Sequence, residues 1–279
     1  MGCRGSSRDA IKRRPSVVKC SSEERSRRSP QLRIEHAELS LVGDREDNQD
    51  RVSVAVNGNA ALMIVIDGMG GHSDGSRAAD TALQSLLQSF SQTTAPLFDP
   101  IGFLHLALSR AHDDVARLGS SLSVDSRPRA TIAVSLVQDG AAYWAHIGDS
   151  RIYLIRTGRV VRRTRDHSHV ELLLREGKIT ESEVATHPMR NFVECCLGGD
   201  PAIPEMSIST RQLLQPGDVL LLCTDGIWAN LSDQDIGMFF RPDYEDLRAW
   251  LEALGRRAVQ AASPFSDNST AAVLRWQGN

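Results

Sequence analysis

Apolar and polar residues alternate, run together or recur at helical spacing along this chain, and the changes of period divide it into elements. Arg33–Val42 alternates loosely and Arg51–Val56 more cleanly, with Val52, Val54 and Val56 on one face, so both predict half-exposed strands. Ala60–Ile66 is an unbroken apolar run, which predicts a strand covered on both faces. Leucines at helical spacing (Leu83, Leu86 and Leu87, then Leu104 and Leu108) predict helices over Ser76–Phe90 and Pro100–Leu118. Ala130–Val137 and Ala141–Ile147 flank Gln138-Asp139-Gly140, a hairpin signal, and Arg151–Arg156 and Arg159–Arg163 flank Thr157-Gly158 in the same way. Asp166-His167-Ser168 reads as a helix N-cap ahead of Val170–Glu176. Val219–Cys223 is a short apolar strand, Tyr244–Ala262 a helix, and Thr270–Trp276 a closing strand.

Strands joined largely by hairpins, with helices between the groups, predict an α+β fold of antiparallel sheets covered by helices rather than repeated βαβ units. Residues 33–279 show no internal repeat and read as one domain. Residues 1–32 differ. The first 30 carry nine Lys and Arg against three acids, and their few apolar residues have no period, so a disordered basic tail is expected. The whole chain balances 32 basic against 35 acidic side chains, a net charge of −3, and the part beyond residue 30 therefore carries −9. Such a balance gives no pull toward nucleic acid, and no apolar run approaches the roughly 18 residues of a membrane span. Met1–Pro30 lacks the apolar stretch of a secretion signal, so a cytoplasmic protein is expected. Met1-Gly2-Cys3-Arg4-Gly5-Ser6 fits the M-G-x-x-x-[ST] acylation pattern, which is short enough to arise by chance. The five cysteines contain no CxxC pair; Cys223 reads as a small buried apolar residue.

Candidate chemistry is carboxylate chemistry. Of four Asp-Gly pairs, Asp139-Gly140 sits between alternating strands and is a turn, whereas Asp67 and Asp225 each follow directly on a buried apolar strand. A strand of that kind delivers its terminal carboxylate to the edge of the core, where a lone negative charge is costly. Asp50 and Asp267 add two more acids beside predicted strand ends. Should these ends converge, the carboxylates repel one another unless a cation neutralises them, and hard divalent ions such as Mn²⁺ or Mg²⁺ suit oxygen donors. Spacing alone also fits four separate turn aspartates. Histidines and cysteines show no zinc spacing, and Gly68-Met69-Gly70-Gly71 fits neither the Walker pattern nor G-x-G-x-x-G.

Seven segments in order carry a resemblance: GDREDNQDR at 43–51, DGMGGH at 67–72, HIGDSRIYLIRTG at 146–158, TRDHSHV at 164–170, HPMRN at 187–191, GDVLLLCTDGIW at 217–228 and DNST at 267–270. With them the chain resembles the metal-dependent serine/threonine protein phosphatases of the PPM or type 2C family, in their compact bacterial form. The resemblance implies a four-layer αββα sandwich, two antiparallel sheets face to face with helices outside, and a two-metal centre at one end. It implies Asp67 bridging two Mn²⁺ or Mg²⁺ ions, the Gly68 carbonyl on one ion, Asp225 and Asp267 on the other, and Asp125 at a third, weaker position. Arg45 would hold the substrate phosphate and Asp50 would orient the attacking water, a metal-bridging hydroxide formed without any covalent phosphoenzyme. Phosphorylated proteins would be the substrates, a Ser/Thr kinase the counterpart, and a monomer the working unit.

Departures from the family pattern stand out. Met69 replaces a histidine proposed as general acid in eukaryotic members, with His72 or water as the alternatives. Gln49 stands where many relatives have glutamate, and Pro128-Arg129-Ala130-Thr131 where many bacterial members read MGTT. Lys178-Ile179-Thr180 would begin the flap that family members use against substrates; Gly148-Asp149-Ser150-Arg151 reads as a tight turn between strands, with support of the metal shell as the alternative role of Asp149. Two other classes fit the same residues: a phosphoprotein-binding regulator without turnover, against which the three retained aspartates argue, and a phosphatase of small molecules.

Overall fold

Two sheets account for most of the strands, and the computed structural model stacks them between helices. It describes residues 1–2, 32–70, 73–184, 186–241 and 246–278. The basic tail through residue 31, with most of the acylation pattern, and also His72 and Tyr244, lie outside the described residues. The first sheet orders β1 (Ile34–Leu41), β12 (Ser269–Trp276), β11 (Val219–Cys223), β6 (Arg151–Arg156) and β7 (Arg159–Arg163). The second orders β10 (Gln212–Leu213), β5 (Ala141–Ile147), β4 (Arg129–Gln138), β3 (Ala60–Met69) and β2 (Arg51–Asn57), with β8 (Leu197–Gly198) on β4 and β9 (Ser207–Ile208) on β5. All pairings are antiparallel.

The unbroken apolar run of β3 has its reason in this layering. Ala61, Met63 and Val65 point into the core between the sheets, with Leu220, Leu222, Ala272 and Leu274 from the facing sheet. Ala60, Leu62, Ile64 and Ile66 point the other way, onto α1 (Ser73–Ser91) and α2 (Pro100–Leu118). Each such large side chain, wholly withdrawn from water, contributes about 1.5–3 kcal/mol of burial. Against the outer face of the first sheet pack α5 (Asp225–Trp228), α6 (Asp233–Met238) and α7 (Leu247–Ala262), through Ile227, Ile236, Trp250, Leu251 and Leu254. The short helices α3 (His169–Arg175) and α4 (Glu181–Val184) belong to the connection between β7 and β8. The result is the four-layer α+β sandwich.

Local signals set the boundaries. Asp139 and Gly140, and likewise Thr157 and Gly158, all have positive φ, as a tight two-residue hairpin requires. Asp99 caps α2 by accepting from the Gly102 amide at 2.9 Å, with Pro100 in the first turn. Asp246 caps the last helix through the Ala249 amide at 3.0 Å, so it begins at Leu247 rather than at Tyr244. Ser168 caps the third helix from within the expected Asp166-His167-Ser168, and the helix begins at His169, one residue ahead of the expected Val170. The alternation in β2 is also less complete than its sequence: Val52 and Val54 pack against the inter-sheet core, while Val56, near the hairpin, is 52% exposed.

Candidate active site

The antiparallel register brings one end of every long strand together. Asp67 lies opposite Thr131, Ile132 opposite Ile147, Cys223 opposite both Arg151 and Ala271, and Leu41 opposite Ser269. The connections at this end line a cleft of about 580 Å³. Its walls hold seven acidic side chains, Asp44, Glu46, Asp47, Asp67, Asp149, Asp225 and Asp267, with Gly68, Met69 and a single arginine, Arg45, among the described residues.

Close backbone approaches shape it. A Cβ on Gly68 would collide with the Gly75 carbonyl at the start of α1, and one on Gly226 with the Asn268 carbonyl, so glycine lets the Asp67 and Asp225 turns reach their neighbours. The 42–49 loop is fastened by Asn268, whose Oδ1 accepts from the Gln49 amide at 2.8 Å and whose Nδ2 donates to the carbonyls of Val42 at 2.8 Å and Asp47 at 2.9 Å. Asp44 accepts from the Ser266 amide at 3.0 Å and its hydroxyl at 2.8 Å, which holds the Asp44 carboxyl below its ordinary range. Arg51 ties the next strand to the first helix through Asp80, at 2.5 and 3.0 Å, and Ser76, at 2.6 Å.

The deeper carboxylates have the opposite problem. Burial, then repulsion from Asp50, Asp225, Asp149 and Asp267, pushes Asp67 well above the usual carboxylate range. Burial, and then Asp225, does the same to Asp149. Asp225 is pushed up to about 6 by burial and then by Asp267. Asp50 is 3% exposed and lies behind the cleft wall, where its Oδ2 accepts from the Thr224 hydroxyl at 2.9 Å. Burial pushes it up to about 7 in spite of hydrogen bonds from Thr270 and Thr224. Arg45 Nη2 reaches Asp267 Oδ2 at 2.6 Å, and its guanidinium is held above its ordinary value by that carboxylate, with Asp225 and Asp67 adding to the effect. The next arginine, Arg151, is committed elsewhere: it grips both oxygens of Asp166 at 2.8 and 2.7 Å and stacks 3.4 Å above the Trp228 ring.

This donor set fits hard divalent cations. The groups are oxygens only, burial and then mutual repulsion make several of them costly to ionise, and the described residues supply one cation for seven lining acids. Among the described residues no three His, Cys, Asp or Glu side chains close around one point, and donors ringing an open cleft suit ions that keep several water ligands.

Of the residues singled out in the sequence, Arg45, Asp67, Gly68, Asp149, Asp225 and Asp267 line the cleft, with Gln49 and Met69 beside them, and Asp50 stands behind it. Asp125 does not join them; it is exposed on the 3-10 turn Val124–Ser126. Arg129 also turns aside, donating to the Val124 carbonyl at 2.8 Å. Residues not foreseen are the Asn268 and Asp44 fastenings, together with Asn191 and Val193, which reach the cleft from the segment after α4. The only signals for them were the quoted strings GDREDNQDR, HPMRN and DNST, which hold Asp44, Asn191 and Asn268; Val193 falls outside all of them. Cys223 is fully buried, and burial pushes its thiol far up, as suits an apolar filler.

The chain is similar to known proteins in sequence and fold. The family model "Protein phosphatase 2C" matches residues 41–262. Protein phosphatase PhpP of Streptococcus pneumoniae is 34% identical over 245 residues, 85% of this chain and 96% of its own. The serine/threonine phosphatase of S. agalactiae superposes with a TM-score of 0.78 at 28% identity, over 88% of this chain and 100% of that one. The catalytic domain of the serine/threonine protein phosphatase PstP, solved in complex with two manganese ions, gives 0.73 at 27% identity, over 87% and 97% of the two chains.

Proposed function

The chain belongs to the protein phosphatase 2C family, and from that membership we propose that it hydrolyses phosphoserine and phosphothreonine in proteins, by direct attack of water and with two divalent cations. It is a protein-serine/threonine phosphatase. The observation that carries the reading is the cleft itself, where Asp67, Asp225, Asp149 and Asp267 crowd together without enough protein cation to balance them. The manganese-bound PstP relative supports Mn²⁺ as the ion.

Asp67, Asp225, Asp267 and the Gly68 carbonyl are the groups that would hold the ions. Bound there, two divalent ions supply a water of lowered pKa at neutral pH and neutralise charge on the phosphoryl oxygens. The side chains divide the remaining work. Arg45 is 59% exposed at the cleft wall, and its planar fork matches two phosphate oxygens once it turns from Asp267. Asp50, fixed by Thr224 behind the wall, orients the attacking water through the groups in front of it. Met69 at the rim has no proton to give, so the leaving serine or threonine oxygen takes its proton from water. Among the described residues no cysteine lines the cleft, in keeping with a route that forms no covalent phosphoenzyme.

A monomer is the working unit in this reading. Residues 33–279 form the phosphatase domain, a Ser/Thr kinase of the same cytoplasm supplies the substrates, and no helix among the described residues is long and apolar enough to cross a membrane. The test is phosphate release from a phosphothreonine peptide with Mn²⁺, beside a chelator control and sugar phosphates. Release from the peptide that disappears with chelator is expected. No release from the folded, Mn²⁺-supplied chain favours a phosphoprotein-binding regulator, and faster turnover of sugar phosphates favours small-molecule substrates.

A further inference from the structure

The outer strand of the five-stranded sheet, β7, is an arginine edge. It reads Arg159-Val160-Val161-Arg162-Arg163, and Thr164-Arg165 continues it. All four arginines are exposed. A register shift at Val161 alters the alternation: Arg159 lies opposite Arg156 and Arg162 opposite Leu154, which puts the two on the same side of the sheet. Val160, opposite Ile155, packs on the other side under the outer helices. Among the described residues the acids facing this edge are few. Arg163 meets Asp233 of α6 at 2.8 Å, and Arg165, 74% exposed, stands 3.9 Å from Glu171 of α3. Arg159 and Arg162 make no ion pair among the described residues.

The strip runs to the cleft. The Arg165 carbonyl is bonded to His146 Nε2 at 2.7 Å, and the next-but-one amide, His167, donates to the Gly148 carbonyl at 2.9 Å. Gly148 directly precedes Asp149 of the cleft wall. Charge on an edge strand also keeps it from pairing with other chains, but lysine or mixed signs serve that end equally well; here four charges share one sign and one side-chain type, beyond a cleft of the opposite sign.

We propose that this edge is a docking strip for an acidic segment flanking the phosphorylated residue of the substrate protein. The inference rests on the phosphatase reading and adds a substrate class to it. A five-residue strand at about 3.3 Å per residue is roughly 16 Å long, enough for an extended acidic stretch of similar length. Arginine forks pair carboxylates bidentately. A nucleic acid or an anionic bilayer covers far more than such a strip, and would meet the net −9 of residues 31–279.

The test compares two phosphothreonine peptides that differ only in flanks of eight glutamates or eight glutamines on each side, about 26 Å when extended and so long enough to reach Arg159 from the cleft. The wild type should favour the acidic peptide about tenfold in kcat/KM at low salt, through KM, and lose the preference near 0.5 M salt, as exposed charge pairs do. R159E/R162E should bring the ratio to about one while leaving turnover of the glutamine peptide unchanged, which also shows that the cleft is intact; R159Q/R162Q serves if the double reversal does not fold. Equal kcat/KM for the two peptides in the wild type overturns docking and leaves the phosphatase reading standing. A preference that survives both variants overturns it too, as does stronger inhibition by an oligonucleotide than by a polyglutamate peptide, which would assign the strip to nucleic acid. Release from neither peptide contradicts both readings.

Discussion

Strand β11 has an aspartate at each end, and the fold treats the two in opposite ways. Asp218, just ahead of it, is 1% exposed; Arg156 grips both its oxygens at 2.7 Å, and the Gln215 amide adds a third bond at 2.8 Å. Asp225, just beyond the other end, is pushed up to about 6 by burial and then by Asp267, and the one arginine at hand among the described residues, Arg45, is turned to Asp267. A buried carboxylate gripped by a protein cation fixes the structure, because removing either partner strands the other. A group of buried carboxylates without such partners lowers the stability of the empty protein and stores affinity for a cation from solution. One strand therefore carries a structural end and a chemical end.

Asp67→Asn breaks the comparison most severely. Removing the most crowded carboxylate should lower turnover of a phosphothreonine peptide about a thousandfold, roughly 4 kcal/mol of transition-state stabilisation, while raising the Tm of the chelated protein. Asp218→Asn should do the reverse. Turnover at 25 °C should stay near that of the wild type, but urea unfolding should show a loss of about 3 kcal/mol, the low end for a broken buried pair because Arg156 is partly in water. Asn268→Ala removes three fastenings of the 42–49 loop and with them the setting of Arg45; kcat/KM should fall about tenfold, from roughly 1–2 kcal/mol of lost hydrogen bonding.

The smallest effect is on pH dependence. Asp50 and Asp225 have folded values of about 7 and about 6, above the 3.8 of a free aspartate, so the folded state binds protons that the unfolded state has released. Stability of the metal-free protein should accordingly be greatest at low pH and fall as pH rises through 6 and 7. Differential scanning fluorimetry with chelator should give a higher Tm at pH 5.5 than at pH 8, and added Mn²⁺ should restore more at pH 8 than at pH 5.5.

Much of this contrast was legible in the sequence. The unbroken runs ahead of Asp67 and Asp225 marked strands buried on both faces, and a carboxylate at such a strand end needs a partner. The two hairpins followed from Asp139-Gly140 and Thr157-Gly158, whose positive φ values the turns require. The remainder depends on contacts that no local pattern records. Arg45 and Asp267 meet across 222 positions, and Asn268 fastens residues of comparable separation. The helices after Thr224 and Ser232 have four and six residues, too short to show a helical period, and β8, β9 and β10 have two residues each. Asp125 was placed near the centre by resemblance alone, and its 3-10 turn holds it exposed and away from the cleft.

The most direct test is calorimetric titration of the chelated, dialysed protein with Mn²⁺, carried out on the wild type, Asp67→Asn and Asp218→Asn. The account predicts two ions per wild-type chain, the same two in Asp218→Asn, and loss of at least one in Asp67→Asn. Unchanged stoichiometry and affinity in Asp67→Asn would contradict it, because the crowded end of the strand would then be no more a cation site than the paired end.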